Sequence, residues 1–365
     1  MIEFKLPSLG ADMDEGKLLQ WKVKPGDKVK RGDLVAVVET PKAAVDIEIW
    51  QEGVVHELIT QAGTTIPVGT VMARLIGEGE APPAPAPAPA PKAAAAPVPS
   101  AAPPPSRHAV SPAARKHARE LGVDVEQLTG TGPHGAVTVE DVDKAAKPAA
   151  PVDRNAEMRK AIAAAMSRSK REIPHYYLSE TVSLERAAAW LEAENARRPL
   201  PERILMAVLY LKAVALACKA YPDMNGHYVD NAFRPAASVH VGVAISLRQG
   251  GLIAPAIHEV EKLPLPELMK KLADLVKRAR AGSLRSSEMS DPTITVTNLG
   301  EGGVQTVFGI IYPPQVALVG FGSVSRAPAP TVVASLAADH RVSDGHRGAL
   351  FLAEIANLLQ QPETL

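Results

Sequence analysis

The chain has 365 residues, too many for one average domain, and its 40 basic and 40 acidic side chains give a formal net charge of +0. Without net charge there is no long-range field for nucleic acid or an anionic membrane, so neither is expected as a partner. The single cysteine, Cys218, excludes an intramolecular disulfide framework and lies in an apolar run, where a buried packing role is expected. No apolar run reaches about 18 residues and the N-terminus enters a folded pattern at once, so neither a membrane span nor a signal peptide is expected and the bacterial cytoplasm is favoured.

Residues 1–78 contain an internal repeat, in which Gly26 returns as Gly63 and Gly32 as Gly69. Each copy combines short alternating strands with a glycine turn, which predicts a β-sandwich with pseudo-twofold symmetry. Between the copies, two strand-like runs flank a turn. A proline at the second position of such a turn has a preset φ, so Lys42, which follows a proline, is predicted to project from the hairpin tip.

The next segments are a linker and a small helical module. Residues 79–106 are dominated by alanine and proline and cannot bury an apolar face, so an extended spacer of up to about 75–80 Å is predicted. Residues 107–146 contain two short helices, one capped by Ser111 and one capped by Thr138. A glycine-rich loop lies between them, without the strand and helix that a nucleotide-binding loop requires.

After a hinge at 147–152, residues 153–365 predict one large α/β core. The helices are predicted at 155–170, 184–197, 204–221, 266–280 and 348–359, and the strands at 175–182, 239–246, 252–256, 293–297, 315–320 and 331–338. The last strand runs into Asp339, His340 and Arg341. Imidazole suits proton transfer near neutral pH, although a lone histidine is more often structural.

The pattern Asp-His-Arg-x-x-Asp-Gly at 339–345 resembles the active-site signature of the dihydrolipoamide acyltransferases, the core components of 2-oxo acid dehydrogenase complexes. The turn at 39–43, Glu-Thr-Pro-Lys-Ala, resembles that of a lipoyl domain, and 128–135 resembles the peripheral-subunit-binding domain of the same proteins. This resemblance implies an all-β lipoyl sandwich, a small α subunit-binding domain, and a two-layer α/β catalytic domain similar to chloramphenicol acetyltransferase.

The same resemblance assigns the chemistry. Lipoate would be attached to Lys42, coenzyme A would be the acyl acceptor, and no metal is expected. His340 would be the general base for the coenzyme A thiol, and Thr297, where relatives usually have serine, would donate to the oxyanion. Asp344 is either a second base or, as preferred, a residue that fixes the loop through an arginine or amide partner. His175 and His240 are expected to be core or channel residues.

The resemblance also implies partners. Residues 107–146 would bind the decarboxylase or the dihydrolipoamide dehydrogenase component through Arg115 and Arg119, and homotrimers would assemble into cores of 24 or 60 subunits. Acetyl is the favoured acyl group, with branched-chain acyl and succinyl as alternatives. A non-catalytic subunit-binding component, which can lose the histidine, and a biotin carrier, which has Met-Lys-Met at the turn, are the other readings.

Overall fold

The computed structural model describes most of the chain, which divides into two compact units. One unit comprises residues 1–82 and 154–365, and the other comprises residues 83–153. The described residues are 1–8, 13, 15–40, 44–77, 110–121, 125, 128, 130–132, 136–146, 154–247, 250–300 and 303–365. The predicted linker at 79–106 and hinge at 147–152 lie outside them. No helix within these ranges is long and apolar enough to cross a membrane.

The N-terminal region is a sandwich of two antiparallel sheets. Its strands are β1 (Ile2–Lys5), β2 (Glu15–Trp21), β3 (Lys28–Val29), β4 (Leu34–Glu39), β5 (Ala44–Glu48), β6 (Gly53–Leu58), β7 (Thr65–Pro67) and β8 (Val71–Ile76). One sheet has the order β1-β8-β6-β3, and the other contains β5-β4-β2-β7. Leu18, Ile47 and Met72 are among the fully buried side chains between them. The predicted sandwich is therefore confirmed.

Two equivalent glycine turns show that the repeat is structural. Gly26 and Gly63 both have positive φ, 96° and 92°, which glycine adopts without the steric penalty of a Cβ. The Gly26 amide donates to the Val55 carbonyl oxygen at 2.7 Å, and the Gly63 amide donates to that of Leu18 at 2.6 Å. Val55 follows Leu18 by the same interval by which Gly63 follows Gly26. The two hydrogen bonds are therefore related by the pseudo-twofold axis, as predicted.

The smaller unit contains two helices, α1 (Pro112–Leu121) and α2 (Val139–Ala146). Both predicted N-caps are confirmed: the Ser111 hydroxyl accepts from the Ala114 amide at 3.1 Å, and the Thr138 hydroxyl accepts from the Asp141 amide at 3.3 Å. The helices enclose a small core of fully buried side chains, namely Ala114, Ala118, Val137 and Val142.

The C-terminal region has a sheet with helices packed against it. The helices are α3 (Arg154–Glu172), α4 (Glu185–Ala196), α5 (Met206–Ala220), α6 (Leu265–Ala281), α7 (Ser286–Ser290) and α8 (Gly345–Leu359). The strands are β9 (His175–Ser183), β10 (Gly226–Val229), β11 (Ala232–Pro235), β12 (Val241–Val243), β13 (Ile245–Ser246), β14 (Leu252–Ile253), β15 (Ala256–Ile257), β16 (Leu284–Arg285), β17 (Ile294–Asn298), β18 (Ala317–Phe321) and β19 (Thr331–Asp339).

Six of these strands form the main sheet, in the order β15-β12-β17-β18-β19-β9. Strands β12, β17 and β18 are parallel to one another, and β19 and β9 are antiparallel to their neighbours. The apolar helix α5 is buried along most of its length, and its Tyr210 ring stacks on Phe321 of the sheet at 4.2 Å. The two-layer α/β fold and its single large core are confirmed.

The structure corrects two predicted strands. The strands expected at 239–246 and 252–256 are each divided, because β12 pairs with β15 whereas β13 pairs with β14. The change of partner falls at Ala254 and Pro255, where the proline has no N–H to continue a ladder. The hairpin of β10 and β11 and the short β16–α7 segment were not predicted, because elements this short carry too few residues for a periodic pattern.

Candidate active site

His340 lies at the end of a strand that is buried almost throughout. Side chains at 334–339 of β19 are buried, and His340 is the first exposed residue after them. Asp339 is the last residue to pair with β9, opposite His175, and the His340 amide then donates to the Pro174 carbonyl oxygen at 3.0 Å. The backbone of His340 is thus fixed by the sheet while its ring faces outward.

Asp339 and Arg341, the residues on either side of His340, form one ion pair that fixes this corner. The Arg341 guanidinium donates to both carboxylate oxygens of Asp339, with its Nη2 at 2.6 Å, and Asp339 is fully buried. The Arg341 guanidinium also lies 3.9 Å from the centre of the Tyr228 ring. Because residues 339 and 341 are both held, the residue between them has little freedom. Neither residue of this pair was predicted to hold the histidine, although the alternation Asp-His-Arg was the available signal.

The His340 ring contacts the aromatic ring of Tyr176. The edge of the Tyr176 ring approaches it, with 5.4 Å between ring centres and 72° between ring planes. The Tyr176 hydroxyl shares a 2.8 Å hydrogen bond with that of Ser343, which is buried. Burial raises the pKa of Tyr176 above its usual range, so this side chain is neutral at physiological pH. Tyr176 therefore positions the imidazole without supplying a charge.

Asp344 caps the helix that follows. Its carboxylate accepts a hydrogen bond from the Arg347 amide at 2.9 Å and forms the N-cap of α8. That backbone bond holds the pKa of Asp344 below its usual range. The Arg347 side chain turns to Asp223, which accepts from its Nε at 3.0 Å and its Nη2 at 2.7 Å. An ionised carboxylate committed to a helix cap is better suited to fixing the loop than to accepting a proton.

Thr297 lies at the opposite end of the sheet from His340. It is half-buried on β17 and pairs with Gly320 of β18, which in turn pairs with Ser335 of β19. Ser335 precedes His340 by five positions, which corresponds to about 16 Å along a strand. Within one chain, the structure thus brings Asp344 close to His340 in the loop but leaves Thr297 remote from both.

His175 has a structural position. Its Nε2 accepts from the Ile311 amide at 3.2 Å, so Nδ1 carries the proton and donates to the Ile173 carbonyl oxygen at 2.9 Å. Burial lowers the pKa of His175, which favours this neutral form. It therefore bridges two backbone segments and is not placed for proton transfer to a substrate.

His240 and Cys218 also have structural positions. The Nδ1 of His240 accepts from the Glu259 amide at 3.1 Å, its ring contacts His258 at 4.9 Å between centres, and burial lowers its pKa. The Cys218 thiol is buried, and desolvation raises its pKa, so its thiolate is disfavoured. Its predicted packing role fits this position.

Lys42 itself lies outside the described residues, but the strands on either side of it are described. β4 and β5 are antiparallel, and Glu39 pairs with Ala44, so residues 40–43 connect the two strands. A lysine in so short a connection between two paired strands is suited to attach a cofactor that must reach beyond the module.

The small helical unit is organised by one carboxylate. Asp141 accepts from the amide and hydroxyl of Thr131, at 3.0 and 2.7 Å, and from those of Thr138, both at 2.9 Å. The bond from the Thr131 amide contributes most to holding the pKa of Asp141 below its usual range.

The two arginines predicted to bind a partner lie on α1. The Arg115 side chain is exposed, and the Arg119 side chain lies outside the described set.

Family models match three stretches of the chain. Residues 150–365 match the model described as 2-oxoacid dehydrogenases acyltransferase (catalytic domain). Residues 2–75 match the biotin and lipoyl attachment model, described as biotin-requiring enzyme, and residues 109–143 match the e3 binding domain.

Whole-length relatives carry all of these stretches. The chain is 33% identical to the dihydrolipoyllysine-residue acetyltransferase component of the pyruvate dehydrogenase complex of Rhizobium meliloti, over 99% of this chain and 98% of that protein. It is 30% identical to the corresponding component of the acetoin cleaving system of Bacillus subtilis, over 100% and 99% of the two chains.

Solved structures resemble the C-terminal region. A probable dihydrolipoamide acetyltransferase of Listeria monocytogenes is 26% identical with a TM-score of 0.54, covering 60% of this chain and 96% of that one. A dihydrolipoamide acetyltransferase of Azotobacter vinelandii, solved to investigate the catalytic role of a serine, a histidine and an asparagine, is 25% identical with a TM-score of 0.53. It covers 60% of this chain and 98% of that one. The expected resemblance is confirmed, and the chain belongs to the acyltransferase family of the 2-oxo acid dehydrogenase complexes.

Proposed function

We propose that this protein transfers an acetyl group from a lipoyl-lysine to coenzyme A, as the core component of a 2-oxo acid dehydrogenase complex in the bacterial cytoplasm. The observation that carries the proposal is the exposed His340, held between the buried Asp339 and its partner Arg341 at the end of β19. The names of the relatives, which come from pyruvate dehydrogenase and acetoin cleaving systems, favour acetyl over other acyl groups.

The proposed chemistry is exchange between two thioesters. The coenzyme A thiol is mostly protonated at neutral pH, and the His340 imidazole accepts its proton. The thiolate attacks the acyl carbonyl carbon, the bond from that carbon to the departing sulfur breaks, and the imidazolium returns the proton to that sulfur. The Thr297 hydroxyl donates to the carbonyl oxygen while it carries negative charge. When attached to its lysine, the reduced lipoyl group supplies the sulfur from which the acyl group departs.

Because His340 and Thr297 lie at opposite ends of the sheet, this chemistry requires two copies of the chain. In the proposed homotrimer, His340 of one copy meets Thr297 of its neighbour, and each interface contains one complete site. In a closed ring with identical head-to-tail interfaces, every His340 meets the Thr297 of a neighbouring copy. Trimers would then assemble into the larger core of 24 or 60 subunits.

Lys42 is proposed to carry the lipoate. Its position in the short connection between the paired strands β4 and β5 supports this role. Intact-mass measurement after expression with a lipoylating enzyme should show one adduct, and Lys42→Arg should abolish it. An adduct at another lysine, or none under conditions that modify a control lipoyl domain, would contradict the assignment.

Residues 107–146 are proposed to bind the decarboxylase or the dihydrolipoamide dehydrogenase component. Arg115, which is exposed, and Arg119, which follows it by four positions on α1, would contact acidic side chains of the partner. Such contacts between exposed charges weaken as salt screens them, so the affinity should fall with ionic strength. Binding that is independent of salt and survives Arg115→Ala with Arg119→Ala would contradict this account.

An assay of acyl exchange with free dihydrolipoamide tests the reaction and the acyl group together. With acetyl-, isobutyryl- and succinyl-coenzyme A, we expect the highest kcat/KM for acetyl. A preference for isobutyryl or succinyl would identify a branched-chain acyl or succinyl transferase. No turnover with any of the three in a correctly assembled core would identify a non-catalytic subunit-binding component.

A further inference from the structure

The N-terminal sandwich and the catalytic domain share a β-sheet. Strand β5 would be the edge of its sheet, but β16 of the catalytic domain lies beside it in parallel, with Val45 opposite Leu284 and Asp46 opposite Arg285. An edge strand exposes unpaired backbone N–H and C=O groups, and adding a strand satisfies them. Backbone pairing thus joins the two domains over two residues on each side.

A buried carboxylate extends this contact. The Glu48 amide donates to the Ser286 hydroxyl at 3.1 Å, and the Glu48 carboxylate accepts from the amide of Ser287 at 3.3 Å and from its hydroxyl. Glu48 is only 7% exposed, as is Ser287, so these groups have left water. Because the three bonds run between domains that are more than 200 residues apart in the sequence, they have no role in the fold of either domain alone.

The catalytic-domain side of the contact is held in place by bonds within its own domain. Arg278 on α6 donates through Nη1 to Glu288 of α7 at 2.6 Å, and the Arg285 amide donates to the same carboxylate at 2.9 Å. Met289, at the end of this segment, packs against the apolar cores of both domains. The segment 284–289 therefore presents a backbone edge, two hydroxyls and one apolar side chain in a fixed arrangement.

The contact is also small and contains an isolated charge. Among the described residues, no lysine, arginine or histidine forms an ion pair with Glu48, so its burial is compensated by hydrogen bonds alone. Burying a carboxylate without a cation has a large desolvation cost. A two-residue ladder with such a charge favours reversible docking over permanent attachment.

We propose that residues 284–289 are a docking site for the N-terminal module, which binds through β5 and Glu48. The strand that docks starts at Ala44, two positions after the lysine proposed to carry lipoate. Docking holds this carrier hairpin against the catalytic domain, and undocking releases it towards the other components. The contact itself does not depend on the proposed function, whereas this consequence for the carrier does.

Hydrogen exchange of the full-length protein tests the docking. Removing the buried acceptor with Glu48→Ala, or the donor hydroxyl with Ser287→Ala, should speed exchange in peptides covering 44–48 and 284–289 by about tenfold or more, the range for a lost charge-assisted hydrogen bond. Combining both substitutions should add little to the larger single effect, because they remove the same interaction. Glu57→Ala is the matched control, since Glu57 is exposed on the other sheet, where its partner is Arg74.

Two further readouts keep the outcomes distinct. If Glu48→Ala also speeds exchange in 53–58 and 71–76, the substitution has loosened the N-terminal module itself. Ser287→Ala, which lies in the other domain, then decides whether the docking contact has been lost. Unchanged exchange at 44–48 in Ser287→Ala, matching the Glu57→Ala control, would overturn the docking site. Acyl exchange with free dihydrolipoamide does not use the module and should be unaffected in all variants. Loss of that activity in the parent would contradict the proposed function and not the docking.

Discussion

The two ends of the six-stranded sheet differ in how completely one chain holds the side chain that is proposed to act there. At the His340 end, the buried Asp339, the stacked Arg341 and the capping Asp344 fix the imidazole through contacts within a single chain. At the other end, Thr297 is half-buried on β17. One chain therefore orients the proposed base by itself, whereas its proposed oxyanion donor would act in a site elsewhere.

His340→Ala should leave the assembled core intact and lower kcat by about 10²–10⁴-fold, the range for removing a general base. The ring is exposed and its backbone is held by β9 and β19, so removing it should not disturb the fold. Kinetics with acetyl-coenzyme A and dihydrolipoamide, together with sedimentation of the core, measure both properties. Retention of most of the activity in an intact core would refute the proposed enzyme mechanism.

Thr297→Val should lower kcat by roughly 10²-fold with little change in KM, because valine keeps the shape of threonine but removes the donor hydroxyl. Thr297→Ser is the matched control and should be far milder, since it keeps the hydroxyl. If the valine variant has the kcat of the parent, the oxyanion is stabilised by another group.

Combining the two impaired variants in one assembly should restore activity. If the proposed trimers assemble at random from equal amounts of His340→Ala and Thr297→Val chains, about a quarter of the interfaces pair an intact His340 with an intact Thr297. Co-expression followed by assay should therefore give roughly a quarter of the parental activity. Activity no higher than that of the separate variants would place both groups in the same subunit's site.

Asp344→Asn should change activity little and alter the response of stability to acid. The pKa of the Asp344 carboxylate is lowered in the folded state, chiefly by the Arg347 amide. Its stabilising contribution is therefore present above the unfolded pKa of about 4 and is lost as the pH falls through the lower folded value. Asparagine keeps the cap without titrating.

Thermal unfolding of both proteins between about pH 6 and pH 3 measures this effect. We expect the parent to lose melting temperature relative to Asp344→Asn as the pH falls. A parallel decline would show that the cap does not contribute to the acid sensitivity, and a large loss of kcat in the variant would favour Asp344 as a second base.

Patterns within a few residues predicted many of the turns and helix starts. The glycine repeat predicted the twofold turns at Gly26 and Gly63, since a positive φ is a property of one residue and its neighbours. Ser111 and Thr138 predicted the starts of their helices for the same reason, because an N-cap acts within three residues. The short β16–α7 segment and the divided strands around Pro255 could not be predicted, because their pairing depends on distant partners.

Local sequence patterns predicted the three kinds of module, the strand that leads to His340, and the caps that begin the helices. The folded structure was needed to show that Asp339 and Arg341 hold the imidazole as a pair, that Thr297 lies at the other end of the sheet, and that Glu48 is buried against Ser287. Periodicity and capping arise from interactions within a few residues. Sheet register and the burial of a charge depend on segments that meet only when the chain has folded.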